Sequence, residues 1–157
     1  MLLANFAANR NYFDGHVTTQ AGSRKQVPPF FSAASVEEQG RQIWLLAMVD
    51  GRTQIYDTAF EPAGSIPNWG SDLAGTEARC GGGTQVLATR PGDGSETDTV
   101  QVFGIVNRAP AALSPPVGFA GPVTALWPAG GASAVAVARD LGTGKYAAYT
   151  LTVACGL

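Results

Sequence analysis

One pattern recurs three times in this sequence: an apolar segment, a polar turn that contains glycine, and a second segment that carries one aromatic residue. The three copies are QIWLLAMVDGRTQIYD, TQVLATRPGDGSETDTVQVFGI and SAVAVARDLGTGKYAAYTLTV. Short β-branched and aromatic stretches separated by Gly and Asp are typical of β-hairpins. The recurrence therefore predicts repeated all-β units, and the first turn, Asp50-Gly51, is one member of a series.

A further short segment rich in small residues precedes each copy, and these segments begin near Phe31, Ser71 and Pro122. The spacing is 40 residues from 31 to 71 and 51 residues from 71 to 122. A period in this range with three or four strands per unit is typical of β-propeller blades. In such blades the middle strand is apolar on both faces because neighbouring blades cover both.

The expected architecture is all-β, with about three to four antiparallel sheets arranged as propeller blades in one continuous domain. The predicted units are N-terminal strands of a partial blade at 1–29 and three blade-like repeats at about 30–70, 71–121 and 122–157. Helical signals are scarce, and SVEEQGRQ (35–42) is expected to be one helical turn or a loop.

Three units are too few to close a ring, because propellers usually have four to eight blades. The N-terminal segment could add a missing outer strand to the last unit. Alternatively, another chain or a larger parent completes the ring, and this interpretation is favoured. It predicts a large apolar surface on the first and last units, which a partner must cover.

Composition excludes several classes of function. The chain is 45% hydrophobic and 14% charged, which argues against disorder, and its net charge is −2. The ten Lys and Arg residues are scattered, so neither nucleic-acid binding nor electrostatic membrane binding is expected. No apolar run is long enough to insert into a bilayer, and MLLANFAANRNYF lacks the features of a signal peptide. The sequence is expected to be cytoplasmic, or a mature or excised piece of a precursor.

Residues 30–155 resemble the blade repeats of bacterial extracytoplasmic β-propellers, the broad group that includes FG-GAP/VCBS-type repeats. The resemblance implies an extracellular, cell-surface or periplasmic location. The calcium loop of that family has the form D-x-[DN]-x-D-G, which PGDGSETD (91–98) approaches and the other two turns do not. Asp93, Glu96 and Asp98 are therefore candidate oxygen ligands for calcium, and a solvated hairpin loop is the alternative.

The two cysteines, Cys80 and Cys155, allow two interpretations. They are either small buried hydrophobic residues or one long-range disulfide of an exported protein. Because 75 positions separate them, a disulfide would constrain the unfolded chain by ~4 kcal/mol. One His and two Cys at these spacings match no zinc pattern.

Asp72 and Trp69 are the candidate ligand-binding residues. Asp72 begins a predicted inner strand, so its carboxylate could line a central channel. Trp69 lies in the Pro- and Gly-rich stretch IPNWGSD, where an exposed ring at a rim could stack on a carbohydrate. The other acidic residues mostly flank turns, which explains them without chemistry. No catalytic residue is predicted, since His16 has no recognisable nucleophile motif to serve.

Three functions remain open. The first is a non-catalytic propeller scaffold for binding or assembly, completed by another protein chain or by self-association. The second is a fragment of a propeller glycoside hydrolase or lectin with channel-facing carboxylates. The third is a self-contained β-sandwich module with an adhesin-like role.

Overall fold

The computed structural model describes residues 2–6, 13–18, 24–67, 69, 72–80, 84–90 and 97–155. These residues form an all-β fold, and none of them lies in an α-helix. In this part of the chain there is accordingly no helix long and apolar enough to cross a membrane. The strands are β1 (Leu2–Phe6), β2 (Phe13–Thr18), β3 (Arg24–Glu38), β4 (Arg41–Met48), β5 (Thr53–Tyr56), β6 (Pro62–Ile66), β7 (Leu73–Gly75), β8 (Thr84–Arg90), β9 (Thr99–Val106), β10 (Ala109–Ala112), β11 (Val117–Gly118), β12 (Val123–Gly130), β13 (Ser133–Arg139) and β14 (Tyr146–Thr152).

The strands form three antiparallel sheets that follow one another along the chain. The first sheet has the order β1-β2-β3-β4-β5-β6, and the second has the order β10-β9-β8-β7 with β11 also paired to β9. The third sheet is β12-β13-β14. The second and third sheets fall within the predicted units 71–121 and 122–157. The boundary predicted between 29 and 30 lies inside β3, so the N-terminal strands extend the first sheet and not the last one.

The segment 35–42 is not a helical turn. It contains the end of β3, a tight turn at Gln39-Gly40 and the start of β4. Both turn residues have positive φ, 50° at Gln39 and 73° at Gly40, as two-residue hairpin turns with the favoured twist require. The pairing of β3 with β4 therefore outweighs the helix propensity of the residues in this stretch.

The middle strand of the first sheet, β4, is buried on both faces. Ile43, Leu45 and Ala47 face the second sheet, where they pack with a core that includes Phe103 and Ile105. The alternate residues point to the far face and pack against residues from the first half of β3 and from β5 and its following turn. This far-face cluster consists of Val27, Phe30, Leu46, Met48, Tyr56 and Phe60, with Trp44 partly buried beside it.

The far-face cluster is covered by the chain itself. The first half of β3 pairs with β2, and its second half pairs with β4. The pairing with β4 shifts register between Phe30 and Ser32. Lys25, near the start of β3, forms an ion pair with Glu61, which follows β5. The apolar surface expected on the first unit is therefore buried, because residues 24–30 supply its cover.

The three sheets meet through β3, β7 and β12. β7 contacts β3 on one side and β12 on the other, while the outer strands β6 and β10 also touch. These approaches are close: a Cβ at Gly75 would lie 2.6 Å from the Val36 side chain, and one at Gly64 would lie 2.5 Å from the carbonyl oxygen of Arg108. Glycine is required at both positions because no side chain fits between the sheets there.

Candidate functional site

Asp72, directly before β7, joins one strand from each of the other two sheets, β3 and β12. Its Oδ1 accepts a hydrogen bond of 2.7 Å from the Ser32 hydroxyl on β3, and its Oδ2 accepts one of 2.7 Å from the Leu126 N–H on β12. The Leu73 N–H also donates to Oδ1 at 2.9 Å. The carboxylate therefore links β3, the start of β7 and β12. Its predicted contact with a ligand stays a prediction.

Asp98 has a similar bridging position between the second and third sheets. The side chain is 9% exposed, and its Oδ2 accepts a hydrogen bond of 2.8 Å from the Val123 N–H. The backbone of Asp98 pairs with Gly121 and Phe119, whose N···O distances are 3.2 and 3.0 Å. Asp98 is thus a structural contact between two sheets.

The other two residues of the predicted calcium set, Asp93 and Glu96, lie outside the described residues. Among the residues that are described, no group of three or more His, Cys, Asp or Glu side chains is placed to hold a metal ion. The calcium loop stays a prediction.

Trp69 is buried, which corrects the expectation of an exposed ring at a rim. Its side chain is 8% exposed and packs edge-on against Phe103, with ring centroids 5.3 Å apart. The Trp69 carbonyl accepts a hydrogen bond of 2.7 Å from the hydroxyl of Thr53. The Pro- and Gly-rich surroundings suggested exposure, but the indole fills the core between the first and second sheets, so its packing role is clear.

Cys80 and Cys155 are joined in a disulfide, with their Cα atoms 5.1 Å apart. Cys80 lies between β7 and β8 of the second sheet, and Cys155 follows the last strand of the third. The bond therefore ties the end of the third sheet to the second sheet.

Acidic residues at the turns accept hydrogen bonds from nearby backbone groups. Asp57 Oδ1 accepts from the N–H groups of Ala59 and Glu61, both at 2.9 Å. Asp140 accepts from the N–H and the hydroxyl of Thr143, and these hydrogen bonds lower the pKa of its carboxyl. Burial raises the pKa of the Tyr56 hydroxyl in the first sheet. The carboxylates of Asp57 and Asp140 therefore cap turns, as the sequence indicated.

The third sheet has one covered face and one open face. On β13, Ala134, Ala136 and Ala138 are buried toward the second sheet, whereas Val135 and Val137 on the opposite side are only half-buried. We define the open face by seven residues that share this side across the three strands, and Ser133, Arg139 and Thr152 lie on the same side at its ends. The seven are Ala125, Trp127, Val135, Val137, Tyr146, Ala148 and Thr150.

Two aromatic residues make the open face prominent. Trp127 is 44% exposed and Tyr146 is 63% exposed, although both belong to the regular part of the sheet. Arg139, opposite Tyr146, is the single charged residue at the margin of this face in the register of the three strands. A contiguous apolar sheet face of this kind is typical of a protein interaction surface.

An apolar cavity of about 560 Å³ opens beside the open face. It lies between the outer part of the second sheet and the last strand of the third, and the disulfide closes one side. The apolar side chains that line it are Val100, Val102, Leu113, Val117, Leu151 and Val153, and none of its lining residues is charged. Sequence reasoning missed this cavity because it depends on how two sheets that are distant along the chain meet.

Comparison of the sequence with protein-family models and with curated proteins finds no match. Among solved structures, one similar chain is described as the crystal structure of the eukaryotic initiation factor, with a TM-score of 0.53 and 15% sequence identity. The alignment covers 98% of this chain and 43% of that chain, so the present chain spans less than half its length. At this identity the likeness concerns the fold alone.

Proposed function

We propose that this chain is a non-catalytic scaffold that binds another polypeptide through the open face of its third sheet. In this proposal the three sheets are successive blades of a propeller-like array, and a partner continues the array beyond the third sheet. The function is assembly, and the chemistry is the burial of an apolar sheet face.

The arrangement of the inner strands supports the blade interpretation. β7 lies between β3 and β12, and Asp72 accepts hydrogen bonds from groups on both of these strands. Successive antiparallel sheets whose inner strands are neighbours are typical of radial repetition, in which each blade covers the face of the next. A two-sheet sandwich does not describe three sheets that meet in this way.

The observation that carries the proposal is the difference between the two faces of β13. Its alanines are covered by the second sheet, while Val135 and Val137 lie beneath no further sheet in the described part of the chain. A middle strand that is apolar on both faces gains stability when the second face is also covered, because full burial of an exposed apolar side chain is worth about 1.5–3 kcal/mol. The open face thus supports a partner of similar apolar character.

The disulfide supports an exported or cell-surface location within this proposal. Disulfides persist in oxidising compartments and are rare in reducing ones. The bond between Cys80 and Cys155 fixes the third sheet against the second, so the open face is presented on a rigid frame.

Light scattering of the purified chain over a range of concentrations tests the proposal. Without its natural partner, the chain is expected to self-associate reversibly through the open face and to exceed the monomer mass. Val137→Glu places a charge in this face and should return the chain to a monomer. The matched control is Val49→Glu, because Val49 is 42% exposed in the turn after β4 and outside the face. A monomer at every concentration, or equal effects of both variants, would contradict the proposal.

A further inference from the structure

The third sheet lacks an element that the first two possess. In the first sheet, β6 pairs with β5 as an outer strand, and in the second sheet β10 pairs with β9. In the described part of the chain, β14 pairs with β13 and no strand pairs with its outer edge. The third sheet therefore ends one strand earlier than its neighbours.

The outer strand of the first sheet shows what such a strand does. β6 contacts β10 of the next sheet, and its Ile66 belongs to the core between the two sheets, with Ala63 packed against the same core. Among the described strands, no equivalent one packs between the third sheet and the outer part of the second. The 560 Å³ cavity lies in that place, and it continues the core between these sheets because Val100 and Val153 belong to both.

The described residues that follow β14, at 153–155, do not turn back to fill this position. The Val153 N–H donates to the carbonyl of Ala132 at 2.8 Å, and Cys155 is bonded to Cys80 on the second sheet. The N-terminal strands are also engaged, because β1 pairs with β2 and β2 pairs with β3. None of the described residues therefore supplies the missing strand.

We infer that the outer edge of β14 accepts one antiparallel β-strand from a partner chain, and that apolar side chains on alternate positions of that strand fill the cavity. The inference rests on the proposed function and specifies the partner's binding mode. An added strand gains main-chain hydrogen bonds from the sheet edge and specificity from alternate side chains. Since no lining residue is charged, the inward positions of the strand must be uncharged as well. β14 itself is seven residues long and carries no charge or proline that would block such pairing.

The probe is a fluorescent synthetic peptide with an alternating Thr-Val core and terminal lysines for solubility. Its control has the same composition in a scrambled, non-alternating order. We expect saturable binding of the alternating peptide by anisotropy, at least tenfold weaker binding of the scrambled peptide, and slower amide exchange within 146–152 on binding. Binding that leaves these amides unprotected would overturn the inference, as would equal binding of both peptides or no binding.

Two variants of the cavity make the test specific. Val117→Trp fills the cavity mouth and should weaken peptide binding at least tenfold, whereas Leu141→Trp, at a similarly exposed position outside the cavity, should not. Leu113→Arg, which brings a charge to the cavity from a loop, is the second variant if Val117→Trp does not fold. Peptide binding that neither folded cavity variant weakens would overturn the inference and would assign the peptide to another surface.

The strand inference and the scaffold proposal can fail separately. Val137→Glu changes the open face, so it should abolish self-association and leave peptide binding within about twofold of the wild type. Loss of peptide binding in a chain that still self-associates through the open face would overturn only the added strand. Binding of a small apolar molecule in the cavity, without binding of the alternating peptide, would also overturn the added strand.

Discussion

The first and third sheets have the same kind of middle strand and opposite surroundings. β4 is buried on both faces, by the second sheet on one side and by residues 24–30 and Phe60 on the other. β13 is also apolar on both faces, but only its alanine side is covered. The comparison teaches that apolar patterning shows which sheet faces need to be covered. Among the described residues, such a cover is present on the first sheet and not on the third.

The first and third sheets therefore differ in the surface that each presents to a partner. The far face of the first sheet is covered by residues 24–30 of the same chain. The C-terminal end presents an apolar face and an outer strand edge, and a disulfide holds both against the second sheet. A partner is therefore expected at the third sheet and not at the first.

Removal of the disulfide should have the largest effect on stability. The double variant Cys80→Ser/Cys155→Ser frees a loop with a sequence separation of 75 residues, which corresponds to a loss of about 4 kcal/mol in the free energy of unfolding. Urea unfolding of the oxidised wild type and of the variant measures this difference. Amide exchange should accelerate most in 133–152, and uniform acceleration across all three sheets would mean that the third sheet is not specially dependent on this bond.

A matched pair of valine substitutions tests the difference between the two ends directly. Val27→Ala removes methyl groups from the far-face cluster of the first sheet and should cost about 2.5 kcal/mol. Val137→Ala removes the same groups from the open face and should cost less than about 1 kcal/mol in the monomer, because that site is already partly in water. Equal losses in dilute urea-unfolding experiments would show that the open face is covered in the isolated chain.

Substitution of Asp72 tests whether the three sheets are held at one point. Asp72→Ala leaves the Ser32 hydroxyl and the Leu126 N–H without this acceptor in a partly buried place, so we expect a loss of about 2 kcal/mol. Asp50→Ala, at an exposed turn, is the control and should cost less than about 1 kcal/mol. If both variants lose the same stability in thermal unfolding, the bridging role of Asp72 is refuted.

The smallest expected effect concerns pH and the turn between β13 and β14. Hydrogen bonds from Thr143 lower the pKa of Asp140 in the folded chain relative to its ordinary value of 3.8. The stabilisation from this carboxylate is therefore complete above that value and declines as the pH falls through the lower folded pKa. Asp140→Asn should be slightly less stable than the wild type at neutral pH, and the gap in urea midpoints should narrow in acid. A gap that widens in acid would contradict this assignment.

Much of the strand pattern follows from the sequence because hairpins are local. β8 and β9 lie inside the second copy of the recurring pattern, and β13 and β14 lie inside the third. β3 was harder to predict, because the boundary expected between 29 and 30 falls inside a single fifteen-residue strand with a register shift.

The site was less predictable because it depends on contacts between sheets. The position of Asp72 near the inner strands could be expected, but its hydrogen bonds to Ser32 and Leu126 join segments 40 and 54 residues away. The burial of Trp69 depends on Phe103 in the second sheet, which no local pattern shows. The burial of the far-face cluster likewise depends on the first half of β3, which precedes the register shift after Phe30.

Hydroxyl-radical labelling of the tryptophans at low and high protein concentration tests the central claim most directly. Trp127 lies on the open face, while Trp69 is buried and Trp44 is partly buried beside the far-face cluster. We predict strong labelling of Trp127 in the dilute chain and its loss as the chain associates, with Trp44 and Trp69 unchanged. Association that leaves Trp127 fully labelled, or that protects Trp44 in its place, would contradict the account.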